Sequence, residues 1–254
     1  MIAVLSPAKT LDYEPQTLSF ESTLPQFAQE SASLIKTLKS KSKKSIQNLM
    51  KVSEALAELN VSRYKSFDET FQSDPVKAAI FAFKGDVYQG FDAESLTKTQ
   101  IKYADKHVRI LSGLYGILKP LDLMQPYRLE MGTKLSTRSG ENLYEFWNDK
   151  ITDSLNAELA SHKQQVIINL ASNEYFKVIK PKQLKADIIK IKFREYKGDE
   201  LKFISFNAKR ARGLMARYMA QNKLTKPEQL KHFNLENYQY TAEGSSDREL
   251  LFIR

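Results

Sequence analysis

The parts of this sequence best equipped for chemistry are short polar stretches that directly follow apolar ones. Residues 2–5 are apolar and run into Ser6-Pro7-Ala8-Lys9-Thr10-Leu11-Asp12. Phe83-Lys84-Gly85-Asp86-Val87-Tyr88 repeats the grammar, an apolar run ending in a lysine and an aspartate around a glycine. Lys9 with Asp12 as its partner is the candidate catalytic pair, the amine acting as nucleophile or acid/base group, or as a phosphate contact. The alternative is a surface ion pair worth little. Loops that leave strand ends present binding groups, so two such loops would converge on one cleft, unless the second is an ordinary strand exit.

Three further stretches carry functional groups. Leu111-Ser112-Gly113-Leu114-Tyr115-Gly116-Ile117-Leu118 has paired glycines that would let backbone N–H groups approach a phosphate. It also resembles the hairpin of a helix-hairpin-helix DNA-binding element, whose glycines normally stand one residue closer. In the following residues 119–130, Arg128 would clamp a phosphate or carboxylate and Tyr127 would stack on a base, unless the segment is a proline-stiffened connector. In Ala171-Ser172-Asn173-Glu174-Tyr175-Phe176-Lys177, Ser172 or Asn173 would cap a helix aimed at an anion or simply cap it.

The strongest single element is Asn207-Ala208-Lys209-Arg210-Ala211-Arg212-Gly213-Leu214-Met215-Ala216-Arg217-Tyr218-Met219. At 100° per residue, Ala211, Leu214, Met215, Tyr218 and Met219 form a stripe to be buried. Lys209, Arg210, Arg212 and Arg217 then surround the small residues Gly213, Ala216 and Ala220 on the other side. Such a face would admit a phosphate backbone between arginine forks, or would be a solvated basic helix.

Charge placement agrees with that helix. The 39 Lys and Arg against 30 Asp and Glu leave +9. Thirteen basic and four acidic side chains between Lys177 and Arg217 account for the whole surplus. A field of one sign localised in this way attracts polyanions. Lys36, Lys39, Lys41, Lys43, Lys44 and Lys51 form a second block, expected to be a solvated face.

With no cysteine, the chain has no disulfide, thiolate metal site or thiol nucleophile. The three histidines, His107, His162 and His232, show no metal-binding spacing, so neither a metal nor a cofactor is expected. No apolar run approaches the ~20 residues of a membrane span, and the start is too short for a signal-peptide core, which predicts a cytoplasmic protein without membrane contact.

Positioning these groups requires strands, and β-rich apolar runs occur at 2–5, 78–83, 108–111, 166–170, 188–193, 201–206 and 250–253. Leu143, Phe146, Trp147, Ile151, Leu155 and Leu159 are spaced as one face of a helix of about five turns. Thr225-Lys226-Pro227-Glu228 reads as a capping-box helix start, and Lys197-Gly198-Asp199 as a hairpin turn. Helices interleaved with strands, at least one pair of them antiparallel, predict an α/β fold with mixed α+β character. A mixed β-sheet covered by helices, in a single large domain spanning residues 1–254, is the expected architecture.

SPAKTLDY at 6–13, FKGDVY at 83–88, LSGLYGILKPLDLMQPYRLEMG at 111–132, INLASNEYFK at 168–177 and AKRARGLMARY at 208–218 together resemble the YaaA family of bacterial peroxide-stress proteins. The resemblance spans essentially the whole chain. It implies a cytoplasmic protein that limits oxidative damage by holding down free intracellular iron. It also implies DNA as partner, duplex or locally unpaired, bound by a basic cleft and a helix-hairpin-helix-like element.

On that implication Gly113 and Gly116 belong to the hairpin, and Lys9, Lys84, Tyr127, Arg128, Lys177, Lys209, Arg210, Arg212 and Arg217 are candidate contacts. Tyr88 and Tyr115 join Tyr127 as rings for exposed bases. The competing function is an enzyme acting on nucleic acid or a nucleotide through Lys9, with Asp12, Asp86 or Glu130 as partner. A carboxylate iron site from Asp12, Asp86 and Glu130 is the third alternative. A monomer is the favoured state.

Overall fold

A run that is apolar at every position suits a strand buried on both faces. Ile2–Leu5 forms such a strand, β1, with every residue fully excluded from solvent. The computed structural model describes residues 1–16 and 19–254. After β1 the strands are β2 (Thr10–Leu11), β3 (Lys77–Ala78), β4 (Phe83–Lys84), β5 (Val108–Ser112), β6 (Gly116–Leu118) and β7 (Leu123–Met124). They continue with β8 (Val166–Leu170), β9 (Asp187–Lys197), β10 (Glu200–Lys202), β11 (Gln239–Ser246) and β12 (Glu249–Ile253). The helices are α1 (Ala28–Lys39), α2 (Lys43–Met50), α3 (Glu54–Ser66), α4 (Ala79–Ala82) and α5 (Asp86–Phe91). There follow α6 (Lys98–His107), α7 (Leu143–Trp147), α8 (Lys150–Leu159), α9 (Asn173–Phe176) and α10 (Ser205–Asn222).

The main sheet has the order β11-β12-β9-β8-β1-β5-β6, with β10 paired to β9. Strands β5, β1, β8, β9 and β12 are parallel to one another. Strands β6, β10 and β11 pair antiparallel. This is the expected mixed α/β sheet in a single domain, mostly parallel and flanked by helices.

The strand order decides where a site can form. From β1 the chain proceeds to β5 on one side, and from β8 it proceeds to β9 on the other. Beyond the carboxyl ends of β1 and β8 the connections therefore diverge and leave a crevice, the usual place for a ligand in an open α/β sheet. Leu5 is in register with Leu170, so the loops beginning at Ser6 and Ala171 open side by side.

Helix α10 packs on α5, α6 and the sheet. Its approach to α5 is closer than side chains permit. A Cβ on Gly213 would lie 1.8 Å from the Val87 carbonyl oxygen, and one on Gly90 would lie 2.2 Å from that of Arg210. Gly213, Ala216 and Ala220 are all buried. The small residues expected to receive a phosphate backbone thus receive a helix instead. With them inward, Tyr218 of the expected buried stripe is only partly buried.

Other expectations change for local reasons. Residues 78–83 form not one strand but α4 between the two-residue strands β3 and β4. The predicted helix over 143–159 breaks into α7 and α8 at Asn148, whose φ of 41° leaves the right-handed region. Residues 201–206 leave β10 and begin α10 at Ser205. The helix start near Thr225 is built by Gln229 rather than Glu228, Gln229 Oε1 accepting from the N–H groups of Thr225 and Lys226, both at 2.9 Å. The hairpin at Gly198 forms as read, with φ +65° at the glycine and Lys197 opposite Glu200.

The segment with paired glycines is a buried β-hairpin, β5 and β6, and not a turn between two helices. A Cβ on Gly113 would meet the Leu129 carbonyl oxygen at 2.2 Å, and one on Gly116 would meet the Trp147 ring at 2.7 Å. Trp147 Nε1 donates to the Gly113 carbonyl at 3.0 Å. Core atoms enclose both glycines, which corrects their assignment as DNA contacts.

Overpacking of a rigid contact costs on the order of 1–3 kcal/mol or more. Gly213→Ala is expected at the upper end, because the obstructing atoms are backbone on both sides. A Cβ on Gly198 meets nothing within 4 Å, so Gly198→Ala should cost about 1 kcal/mol from its positive φ alone. Denaturant unfolding of the two variants should reproduce that order, and equal losses would contradict the close crossing of α5 and α10.

Candidate anion-binding cleft at the strand ends

A cleft of about 520 Å³ lies over the crevice. It is lined by the loop after β1 (Ser6 to Thr10), by Lys84 to Val87, by Ser172, Glu174 and Tyr175 after β8, by Glu130, and by Lys209 and Arg212 of α10. Its floor is tied across the two strands. The Ser172 N–H donates to Ser6 Oγ at 2.9 Å, and the Ser6 hydroxyl donates to Ser172 Oγ at 3.3 Å. Tyr88 Oη donates to the Ser6 carbonyl at 3.0 Å, fastening α5 to the same point.

The two lysine–aspartate loops converge as the repeated grammar implies, but the partners are exchanged. Thr10 pairs with Lys84 and Leu11 with Phe83 across β2 and β4. Lys84 Nζ is 2.8 Å from Asp12 Oδ2, whereas Lys9 Nζ is 3.1 Å from Glu130 Oε2. The expected pairing of Lys9 with Asp12 is corrected accordingly: adjacent strand pairing carries Asp12 to Lys84. The Lys84 contact and the Glu14 N–H hold the Asp12 carboxyl below its ordinary range, and Asp12 in turn raises Lys84. Glu130 Oε1 also accepts from an Arg128 NH2 at 3.0 Å, so one carboxylate serves two cations. Arg128 Nε is buried without a hydrogen-bond partner. Arg128 is also among the residues lining a neighbouring hollow of about 420 Å³ that shares Glu130 and Glu174 with the cleft. Glu174 Oε1 accepts from the Gly132 N–H at 2.9 Å.

The basic residues of α10 separate into two groups. Arg210 Nε is 2.7 Å from Glu236 Oε1, and Arg217 donates to the Phe91 and Asp92 carbonyls at 3.0 and 2.9 Å and lies 3.3 Å from the Asp92 carboxylate. These two arginines fasten α10 to its surroundings. Arg212 and Lys209 have no ion-pair or hydrogen-bond partner among the described residues and line the cleft. Arg212 is partly buried, and burial pulls its guanidinium below the ordinary value. A half-desolvated cation without a partner is the group an incoming anion would complete.

The remaining candidates do not reach the cleft. Lys177 Nζ rests over the Tyr144 ring, 4.9 Å from its centroid. Tyr127 is 5% exposed, and its hydroxyl meets Ser112 Oγ at 2.6 Å. Tyr88 and Tyr115 are buried as well. The three rings expected to stack on bases are core aromatics. Ser172 heads α9 without a side-chain cap and gives its N–H to Ser6.

His107 and His162, far apart in sequence, meet edge to face at 5.1 Å beside Met1, at the end of β1 away from the cleft. No three Asp, Glu or His side chains among the described residues are grouped to hold a metal ion, and Asp12 and Glu130 are engaged by cations. Among the described residues no helix is long and apolar enough to cross a membrane.

Sequence reasoning did not anticipate Ser6, Ser172, Glu174 or Tyr175 in one site. The signal available was that each stands just after an apolar strand run.

The profile of the family described as "Peroxide stress protein YaaA" matches residues 1–244. The chain is 51% identical over 254 residues to a "UPF0246 protein" of Aliivibrio fischeri, covering 100% of this chain and 98% of the relative. It is 52% identical over 254 residues to a UPF0246 protein of Polynucleobacter asymbioticus, with the same coverage. A UPF0246 protein of Ralstonia nicotianae is 51% identical and covered to 99%.

Glu130→Gln removes the negative charge that Lys9 and Arg128 share. Being a partly exposed pair, it should change stability by only about 1 kcal/mol. The cleft should then gain affinity for inorganic pyrophosphate several-fold, read by calorimetric titration. Unaltered or weaker affinity would mean that Glu130 does not compete with an anion there.

Proposed function

The chain belongs to the peroxide stress protein YaaA family, and on that premise we propose that it acts in peroxide stress by binding DNA, holding phosphates in the cleft above β1 and β8. The observation that carries the reading is the unpartnered, half-buried Arg212, flanked by the free Lys209 and set among Lys9 and Lys84. A guanidinium fork in a partly dry cleft binds a phosphate more tightly than a solvated surface cation does. Lys197, on the part of β9 that extends past the carboxyl end of β8, has no ion-pair partner among the described residues and adds to the positive field on the cleft side. On this reading, protection against damage driven by free intracellular iron is exercised at the DNA, which suits a chain without cysteine.

Fluorescence anisotropy with labelled DNA over a range of salt tests it. Arg212→Ala with Lys209→Ala should weaken binding about tenfold or more and lower the slope of log affinity against log salt by roughly 1 to 2. Arg210→Ala should leave the slope unaltered, because its charge is spent on Glu236. Binding without salt dependence would overturn the reading.

A second reading, an enzyme acting on nucleic acid or a nucleotide, is favoured by the carboxylates of Asp86, Glu130 and Glu174 in the same cleft. Acids oppose plain phosphate binding and are the groups a proton transfer needs. Lys9→Met separates the two. Loss of peroxide resistance in cells with DNA affinity intact favours catalysis by Lys9, and parallel loss of both returns Lys9 to binding.

A further inference from the structure

The base-stacking surface of a nucleic-acid binder has to be exposed, and the tyrosines suited to that role by sequence position are buried. Three exposed aromatic rings and an exposed leucine are concentrated elsewhere. Tyr196 is 57% exposed, Leu201 40%, Phe203 52% and Phe206 63%. All four fall in the eleven residues that join the end of β9, through β10, to the first turn of α10.

Strand alternation explains their common face. Along β9 the buried positions are Ile191, Phe193 and Glu195, so Lys192, Arg194 and Tyr196 turn to the opposite side. Leu201 is directly across from Tyr196 and shares its face. The next residue on that face is Phe203, and the Arg194 guanidinium lies over its ring at 5.1 Å. The face therefore interleaves cations with rings and an apolar side chain.

Its location follows from the register. Strand β8 pairs with β9 only over residues 187–190, and the two run parallel. The part of β9 that carries Tyr196 and pairs with β10 thus extends past the carboxyl end of β8, the end at which the cleft opens. From Phe206 the surface continues along α10 to Lys209, three residues on, and Arg212, which line the cleft.

We propose that Tyr196, Phe203 and Phe206 form a stacking platform for unpaired bases, so that a nucleic-acid strand lies across the hairpin with its phosphates led into the cleft by Lys209 and Arg212. This rests on the reading of the cleft as a nucleic-acid phosphate site. Charge selects the occupant. Arg194 on the ring face and Lys197 at its edge have no ion-pair partner among the described residues and suit a polyanion, while Lys192 and Lys202 are balanced by Glu249 and Glu200; a second copy related by a two-fold axis would set the unbalanced cations against one another. Bases are shielded inside a duplex, so only an unpaired strand can use the rings.

The test compares an oligo-dT strand of about 15 nucleotides with a duplex of the same length, a span suited to one binding site. Phe203→Ala with Phe206→Ala should weaken strand binding about 10- to 100-fold, the range of one or two lost base stacks. Duplex binding should change by no more than about twofold, and the salt slope should not change, since no phosphate contact is removed. Strand affinity equal to that of the unaltered protein overturns the platform and leaves the phosphate cleft standing.

Binding of neither probe by the unaltered protein removes the cleft reading and the platform with it. A dimer that becomes monomeric in the variant, with strand affinity retained, would make the face a self-association surface and likewise overturn the proposal. Photocrosslinking of a 5-bromouracil strand to Tyr196 should occur in the unaltered protein. An absence of that crosslink despite tight strand binding counts against the platform.

Discussion

The placement of α10 depends on two glycines. Gly213 and Gly90 let the α10 and α5 backbones touch where any side chain would collide with a carbonyl. On a helix, adjacent residues point about 100° apart, so turning Gly213 into α5 turns Arg212 away from it and into the cleft. Helix α5 in turn is fastened to the end of β1 by Tyr88. One close helix crossing thereby sets a guanidinium above the diverging strand ends, and a single methyl group would separate them.

Around that crossing, the cations are allotted different tasks by their neighbours. Arg217 and Arg210 hold α10 to Asp92 and to Glu236. Lys84 and Lys9 are balanced by Asp12 and Glu130. Arg109 is buried against Glu158 on another part of the sheet. Net charge alone would treat these groups as equivalent. What distinguishes Arg212 and Lys209 is that among the described residues neither has an ion-pair or hydrogen-bond partner, although both line the cleft.

The sheet supplies the direction. Its parallel strands bring their carboxyl ends to one edge, and the divergence at β1 and β8 opens that edge. Polar loops, the α10 cations and the exposed aromatic hairpin are found on this side. The other end of β1 is closed by Met1, His107 and His162, whose imidazoles are both shifted down by burial. One end of the molecule is packed and the other is open to a ligand.

The sequence by itself determined the strands that are apolar throughout, such as Ile2–Leu5 and Val166–Leu170, because burial on both faces leaves no other residue choice. It also determined the turn at Gly198 and the basic helix, each a matter of neighbouring residue types. Only the tertiary structure decided that the Lys9 and Lys84 loops converge, that strand pairing across β2 and β4 brings Asp12 to Lys84, 72 positions away, and that Glu130 belongs to Lys9. It alone decided that Gly113, Gly116 and Tyr127 are interior and that Phe203 and Phe206 are not. The physical reason is that glycines and aromatic rings serve close packing and ligand contact equally well. Which of the two they serve depends on what the rest of the chain places against them.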